Sequence, residues 1–188
     1  MLTVCIPYRE RDALYYNRLA VMLSKYASGY PVEFMSLPNN GSRSIGSYRQ
    51  QMLENVQTPY MTFIDADDDI SKNYFVEVFK GIEKGVSAVG FTGIITTNGT
   101  NPHYFEHSAR HTKWFDRRIK GKIHYYRPIN HLNPVKTEIA LQIGYNDLKH
   151  AEDYDYSLRL SKAGLIKPDD EYFISSEPMY YYLYRTKK

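Results

Sequence analysis

The polar and apolar positions of this chain change period several times, and each change marks an element. Residues 2–6 form a short apolar run that meets Pro7. Asp12 is placed as an N-cap, after which Tyr15, Leu19, Met22 and Tyr26 recur at helical spacing. Residues 31–37 read as a second strand, closed by Pro38-Asn39-Asn40-Gly41. A second helical pattern follows in Ile45, Tyr48, Met52, Leu53 and Val56, then a third apolar strand over 60–64. Asp69 or Ser71 is placed to cap the next helix, in which Phe75, Val78, Phe79 and Ile82 share a face and which Gly85 ends. Residues 86–95 are a fourth extended run. Strand and helix in alternation predict an α/β fold with a mostly parallel central sheet flanked by helices.

Beyond residue 95 the alternation breaks down. Residues 96–131 hold seven Lys or Arg against two acids, and five of the six histidines. His103, His107 and His111 lie four apart, one face of a helix if the segment is helical. They could gather zinc, but no thiolate or clear carboxylate accompanies them, so a solvated or phosphate-facing stripe is the stronger reading. Helical periodicity returns over 135–143 and 152–163, with Gly164 as a C-cap, and the extended aromatic pieces 171–174 and 179–184 follow. At 188 residues the chain is expected to be one domain with a real core.

Composition narrows this only a little. The net charge of +3 selects no partner, and the 19 tyrosines suit half-buried clefts as well as cores. Cys5 is the only cysteine, which excludes an intramolecular disulfide, and in its apolar run it reads as a core residue. No run of eighteen apolar residues spans a membrane, and MLTVCIPYRER lacks the pattern of a secretion signal. The expectation is a soluble protein in a reducing cytoplasm.

Candidate chemistry sits at the strand ends. In open parallel sheets ligands bind at the carboxyl ends of strands, and here the first three ends lead into PYRERD, PNNGSR and DADDD. All three loops are rich in groups that hold phosphate, ribose or metal, which together point to a nucleotide. FIDADDDIS places Asp65, Asp67, Asp68 and Asp69 within five positions. Like charges ~4 Å apart near a surface repel by a few kcal/mol, and a divalent cation is the usual compensator. If Asp65-Ala66-Asp67 is extended, its two carboxylates point the same way and can share one cation. In HAEDYDYSLRL, a helix beginning at Glu152 would pair Asp155 with Arg159 and put Glu152 and Asp153 in its first turn. Alone, that segment is equally an ordinary acidic helix start.

Taken in order, IPYRER after the first strand, Arg49 in the second helix, FIDADDD and GYNDLKHAEDYDYSLRL resemble the GT-A glycosyltransferases, most closely family 2. The opening IPYRERDAL is also similar to the IPFRNR motif of β-1,4-galactosyltransferases. The resemblance implies a single-domain GT-A (Rossmann-like nucleotide-sugar-binding) fold, with residues 1–95 as the donor half and 96–188 as the acceptor and catalytic half. It implies a nucleotide-sugar donor, a UDP-sugar foremost, and a divalent manganese or magnesium ion. By the same resemblance Asp65 and Asp67, on either side of Ala66, bridge donor diphosphate, ribose and metal, with Asp67 the direct ligand. Asp153 is then the catalytic base of an inverting transfer, and Glu152 lies beside the transferred sugar. Pro7, Tyr8, Arg9 and Arg11 line the nucleotide pocket, with Arg49 nearby and Asn39 or Asn40 on the nucleoside. The chain departs from the pattern in two places. Met179-Tyr180-Tyr181-Tyr182 stands where a Met-x-x-His completes the metal site, with no histidine after His150, and the usual Gly-Trp-Gly is absent.

The acceptor is expected to be a hydroxyl on a carbohydrate, or on a modified nucleic-acid base met by the basic and aromatic residues of 96–131. Trp114 is either a sugar-stacking platform or a core residue. Two other classes compete. One is a non-catalytic nucleotide or sugar binder on the same fold. The other is a haloacid-dehalogenase-like phosphatase, which carries its Asp-x-Asp on the first strand, whereas here it ends the third.

Overall fold

The computed structural model describes residues 1–186. The chain alternates through β1 (Leu2–Arg9), α1 (Ala13–Tyr26), β2 (Val32–Asn39), α2 (Ile45–Glu54), β3 (Tyr60–Phe63), the short β4 (Asp69–Ile70), α3 (Tyr74–Glu83) and β5 (Ala88–Thr97). A run of strands follows in β6 (Thr100–His107), β7 (Phe115–Ile119), β8 (Lys122–Arg127) and β9 (Val135–Lys136). Helices α4 (Thr137–Ile143) and α5 (Glu152–Ala163) and strands β10 (Glu171–Ile174) and β11 (Tyr180–Tyr184) complete it.

The layering follows from strands that carry apolar residues at both odd and even positions. Successive side chains point to opposite faces, so such a strand must be covered on both. Leu2, Val4 and Ile6 of β1 enter one apolar cluster with Leu19 and Leu23 of α1 and Phe75 and Val78 of α3. Cys5 enters a second cluster with Met52 of α2, Ile139 of α4 and Leu160 of α5. β3 divides the same way, with Tyr60 in the first cluster and Met61 and Phe63 in the second. Burial pushes the Cys5 thiol up to about 12, which fits its core role.

β1 pairs in parallel with β2 on one side and β3 on the other, giving the local order β2-β1-β3. The chain therefore reverses its direction of winding at β1, and a crevice opens at the carboxyl ends there. The sheet is parallel in this region and mixed as a whole. β5 carries β10 and β11 in parallel and β6 and β9 antiparallel. Among the described residues no helix is long and apolar enough to cross a membrane.

Several expected boundaries move for physical reasons. β1 runs through Pro7 to Arg9, because its pairing with β3 stops at Cys5 and one edge is unpaired beyond it. β2 runs through Pro38 to Asn39, and it is an edge strand, where a missing backbone N–H is tolerated. The segment with three evenly spaced histidines is strand, not helix: His103 and His107 lie on β6, and His111 lies in the following loop, bonded to Glu106 at 2.7 Å. Neither Asp69 nor Ser71 caps α3. Asn73 holds the cap position, and Ser71 Oγ accepts from the Asn73 N–H at 3.1 Å, one step earlier. Gly85 and Gly164 do end their helices, at φ 73° and 64°.

Gly46 lets α2 lie against the loop that leads to α5. Its N–H donates to the Leu148 carbonyl at 3.1 Å, and a Cβ here would sit 2.0 Å from the Asn146 carbonyl oxygen. Gly46→Ala is therefore expected to cost about 1–3 kcal/mol through a forced backbone shift. A lower urea midpoint at unchanged m would show it; an unchanged midpoint would mean the loop yields freely.

Candidate active site

The four carboxylates of the acidic loop do not share one compensator. Asp65 accepts from Arg49 Nη2 at 2.9 Å and lies 3.6 Å from His131 Nε2. Asp67 accepts from Arg185 Nη1 at 2.7 Å. Asp68 is buried and accepts from the Tyr180 hydroxyl and the Leu183 N–H, each at 2.8 Å. Asp69 pairs with Arg18 of α1 at 2.7 Å. Burial alone would raise the Asp65 carboxyl, but Arg49 and His131 outweigh it and hold the group well below the usual range. Asp67 and Asp68 are raised, first by burial and then by the charge of Asp65.

The loop borders a cleft of about 230 Å³ at the carboxyl ends of the strands. β1 contributes Pro7, Tyr8 and Arg9, and β2 contributes Asn39. Tyr48 and Arg49 of α2 and Asp65, Ala66 and Asp67 close the other side. Tyr8 is held in place by stacking on Tyr16 of α1 at 4.3 Å. A neighbouring cleft of about 320 Å³ shares Asn39, Arg43 and Tyr48 and adds Asn40. Asn39 Oδ1 accepts from the Gly41 N–H at 2.8 Å, an Asx turn that shapes this loop. Arg11 lines neither cleft; it is exposed, 3.8 Å from Asp12. The Tyr48 hydroxyl and Arg49 Nη1 are buried without a hydrogen-bond partner among the described residues. Burial first of all pushes the Tyr48 phenol up to about 12, so it remains a donor.

Arg49 joins this cleft to α5. Its guanidinium is 4 % exposed, and Nε lies 3.3 Å from Glu152 Oε1. Burial would lower its pKa, but Asp65 and Glu152 more than offset that and raise it. The acid pair at the start of α5 is thus split. Glu152 is buried against Arg49, while Asp153 is half-buried with no hydrogen-bond or ion-pair partner among the described residues. The turn into α5 is sharp, for Ala151 sits in the left-handed region at φ 59°, a strained state that local packing has to hold. Part of that packing is Arg159, which pairs with Asp155 at 2.8 Å and donates to the Gly144 carbonyl at 2.8 Å.

Among the described residues no three His, Cys, Asp or Glu groups are gathered to hold a metal by themselves. The donor set still fits a cation that arrives on a diphosphate. Hard octahedral cations commonly take one or two carboxylates and complete the shell with phosphate oxygens and water. Asp67 is half-exposed on the cleft and tied only to an exposed arginine, so it is the carboxylate free to exchange.

Four contributing residues escaped the sequence. His131 lies in a fully buried loop over 128–134, and the only signal for that loop was the pair of flanking prolines Pro128 and Pro134. Arg43 and Tyr48 line the cleft from α2 and the turn before it. Arg185 reaches Asp67 from beyond β11 and stacks over Tyr15 at 4.5 Å, a tertiary contact no local pattern announces.

No protein-family model matches the sequence, and no curated protein matches it. Solved structures do match. S. aureus TarS 1–349 aligns with TM-score 0.65 and 15 % identity over 97 % of this chain and 60 % of that one. Its complex with UDP-GlcNAc gives 0.66 and 14 % over 100 % and 59 %, and its complex with UDP gives 0.65 and 16 % over 96 % and 59 %. The likeness shows a shared fold. This chain spans about three-fifths of the TarS 1–349 structures it matches.

Removing Arg49 leaves Asp65 and Glu152 without their cation. Arg49→Met is expected to lose about 3–5 kcal/mol at pH 7. Asp65 is held low in the folded state, so its contribution is complete above about pH 5 and is lost progressively as pH falls from the unfolded value near 3.9 towards the depressed folded one. In the variant, burial raises Asp65 instead, so the deficit should shrink between pH 7 and pH 4.5. Urea titrations at both pH values measure it; an equal deficit at both would mean the loss is packing, not charge.

Proposed function

We propose that the chain is a metal-dependent, inverting glycosyltransferase of family 2 type, moving a sugar from a nucleotide-sugar donor, foremost a UDP-sugar, to an acceptor hydroxyl. The observation that carries this is the Asp65–Arg49–Glu152 link, which holds the Asp-x-Asp loop and the acidic start of α5 around one buried guanidinium at the strand ends. The TarS fold, crystallised with UDP-GlcNAc and with UDP, supports the choice of donor. Residues 1–95 form the donor half and 96–188 the acceptor and catalytic half.

In this reading the donor lies over Pro7, Tyr8 and Arg9, with its nucleoside towards Asn39 and Asn40 and its diphosphate towards Asp65 and Asp67. The acceptor oxygen attacks the anomeric carbon, the bond from that carbon to the diphosphate breaks, and the hydroxyl proton passes to Asp153. Asp153 suits this role because its carboxylate has no protein partner among the described residues, whereas Glu152 is engaged by Arg49. A divalent cation held by Asp67 would offset the charge that builds on the leaving diphosphate. Arg185 gives up Asp67 to the incoming donor and can then face the diphosphate itself.

Thermal unfolding tests the proposal. UDP with Mn²⁺ is expected to raise Tm by several degrees, either alone by much less, since a ligand at 100 times Kd contributes about 2.7 kcal/mol. Asp67→Ala should abolish the shift. Asp153→Asn should keep it while losing release of UDP from a UDP-sugar. No shift with UDP, GDP, CDP or dTDP and either metal would overturn the donor site; a shift without turnover in the unaltered protein would make the chain a binder.

A further inference from the structure

A further cleft, of about 420 Å³, opens between β5, β6, β8 and β11, within the size range of small-molecule sites. It lies against the groups already described. Tyr182 lines it, and its hydroxyl is pushed up by burial and then by the charges of Asp65, Asp68 and Asp153. Trp114, on another wall, donates from Nε1 to Ser157 Oγ at 2.8 Å and meets Tyr154 edge-on at 5.2 Å, so it rides on the first turns of α5. Leu132 lines it too, next in sequence to His131, which touches Asp65.

The lining has a distinct chemistry. Trp114, Tyr125, Tyr182 and Tyr184 present aromatic surface. His107 is 6 % exposed, its Nδ1 has no hydrogen-bond partner among the described residues, and burial followed by the nearby His131 and Arg127 lowers its pKa to about 3. The imidazole is therefore neutral. Arg127 is the one cation in the lining, and its Nη1 is already engaged: it lies 2.7 Å from Asp116 and donates to the Phe115 and Tyr126 carbonyls at 2.8 and 3.0 Å. Its guanidinium also lies over Trp114 and Tyr125, at 4.6 and 5.0 Å from their centroids. The exposed Arg117, Arg118, Lys120 and Lys122 belong to the β7–β8 hairpin and do not line the cleft.

We infer that this cleft is the acceptor site and that it takes an uncharged sugar ring, not a phosphorylated or nucleic-acid chain; the inference rests on the glycosyl-transfer reading above. The C–H face of a pyranose packs on aromatic rings, and its hydroxyls satisfy the orphaned imidazole nitrogen and the tyrosine hydroxyls. An anionic group would be buried without an unpaired cation to receive it.

Trp114 is the only tryptophan in the chain, so its emission reports on this cleft alone. The protein, with and without saturating UDP and Mn²⁺, is titrated with methyl glycosides of glucose, galactose and N-acetylglucosamine, with the matching sugar 6-phosphates, and with a short single-stranded oligonucleotide. The expected result is a saturable emission change with at least one neutral glycoside, weakened about tenfold in both His107→Phe, which keeps the ring, and Tyr184→Ala, at an exposed rim position. UDP-induced stabilisation should be unchanged in both variants. Saturation by only the phosphates or the oligonucleotide overturns the inference in favour of an anionic acceptor. No emission change with any probe, while UDP still stabilises, overturns it and spares the donor site. Glycoside binding without any effect of UDP keeps the sugar site and removes the donor reading.

Discussion

One buried cation organises this molecule. Arg49 is almost wholly out of water, where an isolated guanidinium would cost several kcal/mol, and it is retained because Asp65 and Glu152 approach it from two sides. The two acids come from distant parts of the chain, one at the end of a central strand and one at the start of a late helix. Their common partner fixes the distance between the strand-end cleft and α5. Phe63 adds to this, its ring centroid 5.2 Å from the guanidinium carbon. The outcome is that Glu152 is committed to Arg49, whereas Asp153, one residue on, has no partner among the described residues.

The acidic loop shows how much like charge a fold can hold when each carboxylate has its own answer. Asp65, Asp67 and Asp69 meet arginines from α2, the C-terminal segment and α1, and Asp68 is buried on two hydrogen-bond donors around β11. The loop is thus a junction of several elements as well as the mouth of a cleft. The pairs also differ in how firmly they are held: Arg49–Asp65 is buried, while Arg185–Asp67 is partly solvated, and a partly solvated pair contributes little and exchanges easily.

Local pattern made the first half of the fold legible. Residues 2–6 and 60–64 are apolar apart from Thr3 and Thr62 because helices cover both of their faces, and that is why they read as buried strands. The three strand-end loops followed from alternation alone, whereas the switch at β1 rests on the observed strand order. The late aromatic runs also read correctly as extended. What stayed hidden depends on tertiary neighbours. The spacing of His103, His107 and His111 suits a helix and a strand face equally, and only the pairing of β6 with β5 decides between them. Pro7 and Pro38 look like strand breakers until their unpaired edges are known. Arg185 and His131 carry no local signal, since each matters only through the carboxylate it reaches.

The most direct test is a crystal structure of the protein with UDP and Mn²⁺. The nucleotide is expected along Pro7, Tyr8 and Arg9, with Asp67 turned from Arg185 to the metal and Asp65 still on Arg49. A nucleotide bound elsewhere, or bound here with Asp67 still paired to Arg185, would contradict it.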